Sequence, residues 1–424
     1  MSAFKKDHQY YKFCTYGFLK NLRFFEPFLI LFFLEKDITY FQIGILYMLR
    51  ELTRNIFEIP AGVAADVLGR RRTLISAFSL YIASFILYSI SGSMLVLSGA
   101  TIIFGLGEAF RTGTHKAMIF DYLQRFGWSE QKAHYYGHTR SWSQAGSAIS
   151  ALLAGGLVFY SGKYLNIFLY SAIPYFLGIL LIMSYPTWLD GKAESLRSLD
   201  IKKTMEETLL NFWHSIRHPR IITGILNVAS HGGYYRAIKD YLQPLIVSLS
   251  LTLPFFLNLE TKRKSALLIG LIYFLIYLMS SAIARRSGKF TGLFGNLVLP
   301  LNITLVAGLS AGVFCGLFFT MDLLVLSVVF FVLVYLVENL RLPAGISYLA
   351  EQIDPDILAT TLSVESQGKS LFTMVLALGM GFLADRFGPG TALLAISLFM
   401  LAIVPILRLR DSHRGTIPPG TLLH

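Results

Sequence analysis

The chain has 424 residues, of which 54% are hydrophobic and 15% are charged, and its mean hydropathy is +0.58. These values exclude an ordinary soluble domain and indicate a membrane protein with several spans. The formal net charge of +12 would suit a nucleic-acid-binding protein. The basic residues fall in short loops between apolar runs, however, so membrane topology explains the charge better and no nucleic-acid partner is expected.

The apolar runs of the first half predict six membrane helices. A helix needs about 20 residues to cross a hydrocarbon core of about 30 Å, and backbone groups inside lipid must bond within their own segment. Several runs reach this length without the alternation that is typical of a strand. The six helices are predicted near residues 10–34, 40–65, 73–92, 94–118, 138–161 and 164–186.

A polar and basic segment, residues 187–220, separates the two halves and is predicted to be a cytoplasmic linker. Six more spans are predicted near residues 221–247, 265–285, 296–318, 322–345, 357–382 and 390–409. The fold class is therefore an all-α integral membrane protein of twelve transmembrane helices. The helices are expected to form two six-helix bundles, residues 1–186 and 221–410, followed by a cytoplasmic tail at residues 411–424.

Basic residues in the loops set the predicted orientation. With a cytoplasmic N-terminus, the clusters Arg70–Arg72 and Arg285–Lys289 both fall on the cytoplasmic side, as the positive-inside rule requires. The cluster Lys262–Lys264 disagrees, because it falls in a predicted outer loop. No cleavable signal peptide is expected in the basic N-terminal residues. The sequence predicts a multi-pass protein of the plasma membrane, the bacterial inner membrane, with both termini in the cytoplasm.

A weak internal repeat supports two related halves. Its matched positions lie about 217 to 230 residues apart, as a duplicated six-helix unit would place them. The matches are Glu108, Arg111 and Asp121 with Glu338, Arg341 and Glu351, and Pro27 in FEPFL with Pro244 in LQPLI.

A loop with one carboxylate and three arginines follows the second span. It reads EIPAGVAADVLGRRRTL, and its characteristic residues are Gly62, Asp66, Gly69, Arg70 and Arg71. Their spacing resembles the signature loop between helices two and three of the major facilitator superfamily. The helix count, the central linker and the half-repeat are similar to that family as well, so the resemblance extends over nearly the whole chain.

The resemblance implies a secondary transporter in which two bundles rock around a central site. In that family the matching aspartate and arginine help to lock the halves on the cytoplasmic side, which implies gating roles for Asp66 and Arg70. The chain departs from the pattern at Val67, where a basic residue is usual. A fifth-helix glycine motif of antiporters is matched in part, and close helix packing is the alternative use of its glycines. These are Gly146, Gly155 and Gly156.

Ionisable residues at membrane depth are the most informative feature of the spans. Each one facing lipid would cost about 2.5–3.5 kcal/mol, so they must pair with one another or line a wet cavity. In the fold that the resemblance implies, helices one, four, seven and ten line this cavity, and the charged second span adds three residues. The predicted substrate and proton site comprises Lys20, Arg23, Glu26, Arg50, Arg54, Glu58, Glu108, Arg111, Arg236, Lys239, Asp240, Glu338 and Arg341.

Closed ion pairs are the alternative interpretation of these charges. Residues four apart share a helix face, and such pairs can serve only to orient helices. The pairs concerned are Arg54 with Glu58, Arg236 with Asp240 and Glu365 with Lys369. On helices one, four, seven and ten, six basic residues stand against four acidic ones, and this excess favours an anionic or zwitterionic solute.

Buried carboxylates are the expected carriers for proton coupling. Burial favours the protonated carboxyl group and a neighbouring arginine favours the carboxylate, so a switch between these environments moves a proton. The candidates are Glu26, Glu58 and Glu108, and His115 and His231 are possible relays.

The sequence thus predicts a secondary active transporter of a small organic solute, coupled to protons, with efflux as the direction favoured by analogy. The alternatives are a multidrug exporter of hydrophobic cations and a transport-dead membrane sensor or scaffold. No nucleotide-binding loop, metal-ligand spacing or catalytic group stands out. We therefore expect no enzymatic activity, no cofactor and no metal. The expected partners are the solute, protons and the lipid bilayer, and the chain is expected to be a monomer.

Overall fold

A computed structural model describes residues 6–128, 131–190, 219–254, 259–352 and 355–410. The described chain is built from helices joined by short connections. Most of the predicted linker, residues 191–218, and the predicted tail, residues 411–424, lie outside the described residues.

Eight helices form the first half of the described chain. Asp7 caps the first helix, because its carboxylate accepts the N–H of Tyr10 at 2.9 Å. Their bounds are α1 His8–Leu19, α2 Leu29–Glu35, α3 Tyr40–Leu68, α4 Arg70–Ile90, α5 Met94–Arg111, α6 Thr114–Arg125, α7 Lys132–Ser161 and α8 Asn166–Met183.

The second half contains longer helices. One of them carries the last two predicted spans, because it bends at Gly388, where φ is 81° and ψ is 159°. A single 3-10 turn, Lys239–Tyr241, lies between the first two helices of this half. The bounds are α9 Pro219–Ile238, α10 Leu242–Thr252, α11 Thr261–Gly292, α12 Val298–Thr320, α13 Leu324–Gln352, α14 Pro355–Ala402 and α15 Val404–Leu407.

Within the described residues, eight helical segments are long and apolar enough to cross a membrane. Together they contain nine of the twelve predicted spans, because one segment, Thr361–Ala402, includes the last two. The first, second and seventh predicted spans fall short for physical reasons. The second carries four charged residues within Arg50–Glu58, and the first and seventh are each broken into two helices.

The two breaks lie at matching places in the internal repeat. Helix α1 ends at Leu19, and the chain resumes through a short turn that contains Pro27. Helix α9 ends at Ile238, and the chain resumes in α10, which contains Pro244. Proline has no backbone N–H to continue a helical ladder. The duplicated proline therefore marks a duplicated interruption, and both interruptions carry charged side chains.

Contacts divide the chain into two compact units. Unit 1 contains Met1–Ile38, Leu49–Ile201 and Ile246–Leu278, and unit 2 contains Thr39–Met48, Lys202–Leu245 and Met279–His424. In unit 1, α4 packs against α5 and α8, and α1 packs against α7; in unit 2, α9 and α12 pack against α14. Each unit includes a segment from the other half of the sequence. The division into bundles at residues 1–186 and 221–410 stays a prediction.

Two glycines allow α7 and α11 to approach closely within unit 1. A Cβ atom at Gly155 would lie 2.8 Å from the carbonyl oxygen of Ala266, and one at Gly270 would lie 3.0 Å from that of Ala151. The neighbouring Gly156 faces open space, with nothing within 4 Å of its Cβ position. Gly155 therefore serves close helix packing, which is one of the two uses expected from the sequence.

We expect Gly155→Val to destabilise the protein by about 1–3 kcal/mol, because the new side chain must push two helix backbones apart. The measurement is the melting temperature of the purified protein in detergent. Gly156→Val is the matched control, since it adds the same side chain on the open face. Equal melting temperatures for the two variants would contradict the proposed crossing.

Candidate functional site

The break after α1 places positive charge next to two tyrosines in unit 1. The Nε–H of Arg23 donates to the hydroxyl oxygen of Tyr175 at 3.1 Å, and the Tyr175 hydroxyl donates to the carbonyl oxygen of Lys20 at 3.1 Å. The Nε–H of Arg111 donates to the hydroxyl oxygen of Tyr81 at 3.0 Å. Tyrosines from α4 and α8 thus hold two arginines, one at the break and one at the end of α5.

Carboxylates approach these arginines without fully enclosing them. Nη1 of Arg23 lies 3.9 Å from Oε1 of Glu108, and both side chains are only 14–18% exposed. Glu26 interacts electrostatically with Arg23 as well. Lys20, Arg23 and Arg111 are close enough to repel one another. We call these five residues, Lys20, Arg23, Glu26, Glu108 and Arg111, the unit 1 cluster.

Aromatic rings pack beside Lys20 of the unit 1 cluster. The ring of Tyr16 stacks on that of His115 with centroids 3.7 Å apart, and the Lys20 ammonium group lies 5.9 Å from the Tyr16 centroid. Nε2 of His115 shares a hydrogen bond of 3.2 Å with the hydroxyl of Tyr185. His115, which the sequence proposes as a proton relay, is therefore held in an aromatic stack.

The charged residues of α3 form a second group in unit 1. Glu51 is only 1% exposed and lies between two arginines, with Arg50 Nη2 at 3.2 Å and Arg54 Nη2 at 2.8 Å. Two cations around one buried carboxylate satisfy the need for pairing inside the membrane. The sequence singled out Arg50, Arg54 and Glu58 from this helix, but it did not identify Glu51 as their central partner.

Two carboxylates in unit 2 have buried basic partners. Nδ1 of His231 on α9 lies 2.7 Å from Oε2 of Glu338 on α13, and the His231 side chain is inaccessible to solvent. Nζ of Lys369 lies 2.8 Å from Oε1 of Glu365, one turn away on α14. The Glu365 and Lys369 pair is thus the closed ion pair that the spacing of four residues predicts.

The break after α9 holds a further group of charges in unit 2. Oδ2 of Asp240 accepts the hydroxyl of Tyr47 at 2.7 Å, and Oδ1 lies 3.4 Å from Nζ of Lys239. The carbonyl oxygen of Lys239 accepts the hydroxyl of Tyr335 at 2.8 Å. Arg236 lies one turn earlier, at the end of α9. A tyrosine therefore satisfies a carbonyl at this break, as Tyr175 does at the first one.

Arg341 is enclosed by hydrogen bonds and is only 2% exposed. Its Nη2 donates to the carbonyl oxygen of Asn227 at 2.8 Å and to the side-chain oxygen of the same residue. Its Nη1 donates to Thr304 Oγ1 at 3.1 Å and to the carbonyl oxygen of Leu301. The guanidinium group joins α9, α12 and α13, and these contacts are those of a structural tether.

The signature loop is held within unit 1. Gly69 has φ 91° and ψ 143° and stands immediately before α4. The N–H of Arg71 donates to Oδ1 of Asp190 at 2.8 Å, and Arg70 pairs with Asp121 on α6. Asp66 is exposed, and Gly62 has nothing within 4 Å of its Cβ position. The gating role of Asp66 and Arg70 stays a prediction.

The sequence did not reveal the neutral partners of the charges. Tyr47, Tyr81, Tyr175 and Tyr335 lie in apolar spans that contain many aromatic residues, so no local pattern marks them. Asn227 is a weak exception, because a buried amide in an apolar helix needs a partner.

Lys262, which contradicts the positive-inside rule, pairs with Glu35 and lies 4.6 Å from the ring centroid of Tyr164. Its charge is thus neutralised locally.

Comparison with known proteins gives consistent matches. The profile described as Major Facilitator Superfamily matches residues 13–364. A Bacillus subtilis (strain 168) protein described as an uncharacterized MFS-type transporter, YxaM, is 30% identical over 95 residues, and the match spans 22% of this chain and 24% of that relative.

Solved transporters share the fold at low sequence identity. A crystal structure of the nucleoside transporter NupG has a TM-score of 0.73 and 11% identity, and the alignment covers 95% of this chain and 98% of that one. A POT family transporter in complex with 5-aminolevulinic acid has a TM-score of 0.71 and 13% identity, with 94% and 95% covered.

We expect Arg341→Met to destabilise the protein by about 2–4 kcal/mol, because it removes hydrogen bonds from a buried cation and leaves the Asn227 side-chain oxygen without its donor. Thermal unfolding in detergent measures this loss. Arg285→Met, on an exposed arginine of α11, is the control and should stay within about 0.5 kcal/mol of the parent. A tether role is wrong if both variants unfold at the parent temperature.

Proposed function

We propose, since the chain belongs to the major facilitator superfamily, that it is a proton-coupled secondary transporter of a small organic solute that carries negative charge. Family membership makes the chain a multi-pass membrane transporter rather than an enzyme. The solute, the coupling ion and the direction are the proposal. We also propose that the chain lies in a bacterial inner membrane with both termini in the cytoplasm, and that it is a monomer.

One observation carries the proposed charge of the solute: the unit 1 cluster has three basic groups and two acidic groups. The arginines are oriented by neutral tyrosine hydroxyls, which position a guanidinium group without cancelling its charge. Fixed cations with an incomplete set of carboxylates attract an anion inside a low-dielectric site. A carboxylate or phosphate group of the solute is the chemistry that this cluster suits.

The separation of Arg23 and Glu108 supports proton coupling at the same place. At 3.9 Å the ion pair is long, so an arriving anion can replace Glu108 as the partner of Arg23. A carboxylate that loses its cation is more readily protonated. Anion binding and proton uptake therefore favour each other, and a reciprocal coupling of this kind is what transport of both together requires. The pair of His231 with Glu338 is a further proton site.

Efflux by exchange remains the alternative direction, and it predicts the opposite sign. In an exchanger the solute and the proton compete for the site, so solute binding releases a proton. A multidrug exporter of hydrophobic cations would bind through the aromatic rings of Tyr16 and His115 more than through the arginines. The two experiments below separate these cases.

We expect a carboxylate or phosphate ester to stabilise the purified protein against heat, and we expect Arg23→Ala and Arg111→Ala to abolish this effect. Ligand at about 100 times its Kd adds about 2.7 kcal/mol of stability. The measurement is the melting temperature with a panel of carboxylates, amino acids, phosphate esters and quaternary ammonium compounds.

Arg285→Ala is the control for a lost arginine outside the unit 1 cluster, and it should keep the full shift. Stabilisation by quaternary ammonium compounds that survives in both cluster variants would reject the proposal in favour of an exporter of hydrophobic cations. Binding without flux in proteoliposomes would instead indicate a sensor, and strict dependence on ATP would reject secondary transport.

We expect Glu108→Gln to bind the stabilising anion at least as tightly as the parent but to lose proton uptake, because Arg23 is released while the titrating group is gone. Proton uptake by proteoliposomes with an internal pH-sensitive dye is the readout. Glu260→Gln, on a carboxylate exposed beside Arg263, should retain uptake. Proton release on anion binding by the parent would support exchange and efflux.

A further inference from the structure

A second copy of the signature spacing occurs near the end of the chain. Residues 381–388 read GFLADRFG, and residues 62–69 read GVAADVLG. Both segments have glycine, alanine, aspartate and glycine at the same places. The second copy also has Arg386 where the first has Val67, so it contains the basic residue that the first copy lacks.

The two segments share a backbone conformation as well as a spacing. Gly388 has φ 81° and ψ 159°, and Gly69 has φ 91° and ψ 143°. Few residues other than glycine adopt such positive φ values. Each glycine stands immediately before a helix, which is α4 after Gly69 and the last part of α14 after Gly388. Segment 381–388 is therefore a second loop of the same construction.

The aspartate of this second loop completes the cap of another helix in unit 2. Oδ1 of Asp385 accepts the N–H of Tyr40 at 2.7 Å, and Oδ2 accepts the N–H of Phe41 at 2.8 Å. These are the first two residues of α3. A carboxylate at a helix N-terminus also interacts favourably with the helix dipole.

The local sequence supplies only half of that cap. Thr39 and Gln42 form a capping box, in which Thr39 Oγ1 accepts the N–H of Gln42 at 3.3 Å and Gln42 Oε1 accepts the N–H of Thr39 at 3.0 Å. A helix begins with four N–H groups that have no partner in the helix. The capping box leaves those of Tyr40 and Phe41, and the two oxygens of Asp385 take one each.

The backbones of α3 and α14 approach closely at this contact, but the Asp385 side chain is exposed to water. A Cβ atom at Gly381 would lie 2.3 Å from the carbonyl oxygen of Tyr40, and one at Gly44 would lie 2.6 Å from that of Ala377. Asp385 itself is exposed. When the helices separate, water can replace both hydrogen bonds, so the cap can be broken and remade.

We propose that Asp385 is a gating residue, whose carboxylate holds the first turn of α3 against α14 in one state of the transport cycle and releases it in the other. The 29 residues of α3 extend over roughly 40 Å. Asp66 lies near one end of this helix, and Asp385 caps the other. The inference rests on the proposed alternating cycle, but it does not depend on the identity of the solute.

Cross-linking between the two helices tests the proposal directly. The rings of Phe41 and Phe382 have centroids 6.3 Å apart, and both side chains are exposed. The double variant Phe41→Cys and Phe382→Cys, treated in native membranes with a short bis-maleimide, reports contact. The native Cys14 and Cys315 are both buried, which keeps the background low. The readout is the initial rate of cross-linking without added solute.

We expect Asp385→Asn in this background to lower the cross-linking rate at least twofold, because an amide oxygen can accept only one of the two N–H groups and carries no charge. Losing a charge-assisted hydrogen bond corresponds to a shift of about tenfold in the ratio of closed to open forms. Asp385→Glu keeps the charge and both acceptors, so its rate should lie nearer to that of the parent.

Asp322→Asn, at another exposed loop aspartate, is the matched control and should keep the parent rate. An unchanged rate in Asp385→Asn overturns the proposal, and so does an equal fall in Asp322→Asn, which would indicate general loosening. Because the assay uses no solute, a failed anion screen leaves its result intact. The two experiments can therefore reject the gating role and the proposed solute independently.

Discussion

A polar group in the membrane interior must find its partner within the protein, and the arrangement of both units depends on this constraint. The clearest cases are the two interrupted helices. At each interruption a tyrosine from a neighbouring helix donates its hydroxyl to a backbone carbonyl group. Tyr175 also accepts from Arg23. One hydroxyl group thus stabilises the break and orients the charge beside it.

The two units meet this constraint differently at positions that the internal repeat relates. Both Nη atoms of Arg341 donate to neutral acceptors, which are Asn227, Thr304 and the Leu301 carbonyl group, so these contacts hold its guanidinium group in place. Arg111 has a tyrosine partner and neighbouring cations. The repeat thus relates two arginines with different surroundings: neutral acceptors hold Arg341, whereas Arg111 lies among other ionisable groups.

The sequence predicts the fold class well, because the apolar runs and the internal repeat are patterns that extend over many residues. Apolar run lengths place the helices. Pro27 and Pro244 were matched as part of the repeat, but the first and seventh spans were predicted as continuous helices, so both interruptions were missed. The family resemblance was confirmed. The sequence also yields the pairing of Glu365 with Lys369, which a single helix face determines.

The sequence did not predict which residues of other helices would be the partners of the charged groups. Glu51 was left out of the predicted site although it is buried between Arg50 and Arg54, because charge type and spacing do not show which charged residue of a helix is most buried. His231 was considered a relay, but its bond to Glu338 depends on how α9 packs beside α13. Tyrosines are the hardest case, since their hydroxyl groups carry no charge to stand out in an apolar segment.

Helix α3 shows how an incomplete local signal can indicate a distant contact. Its capping box of Thr39 and Gln42 satisfies two of the four N-terminal donors. A helix that begins near a membrane boundary can leave such donors to water, or it can recruit a carboxylate. Here Asp385 is recruited from a loop that repeats the signature spacing. Residues 40–48 of α3 belong to unit 2 and the rest of the helix belongs to unit 1, so the cap fixes the start of a helix that contributes to both units.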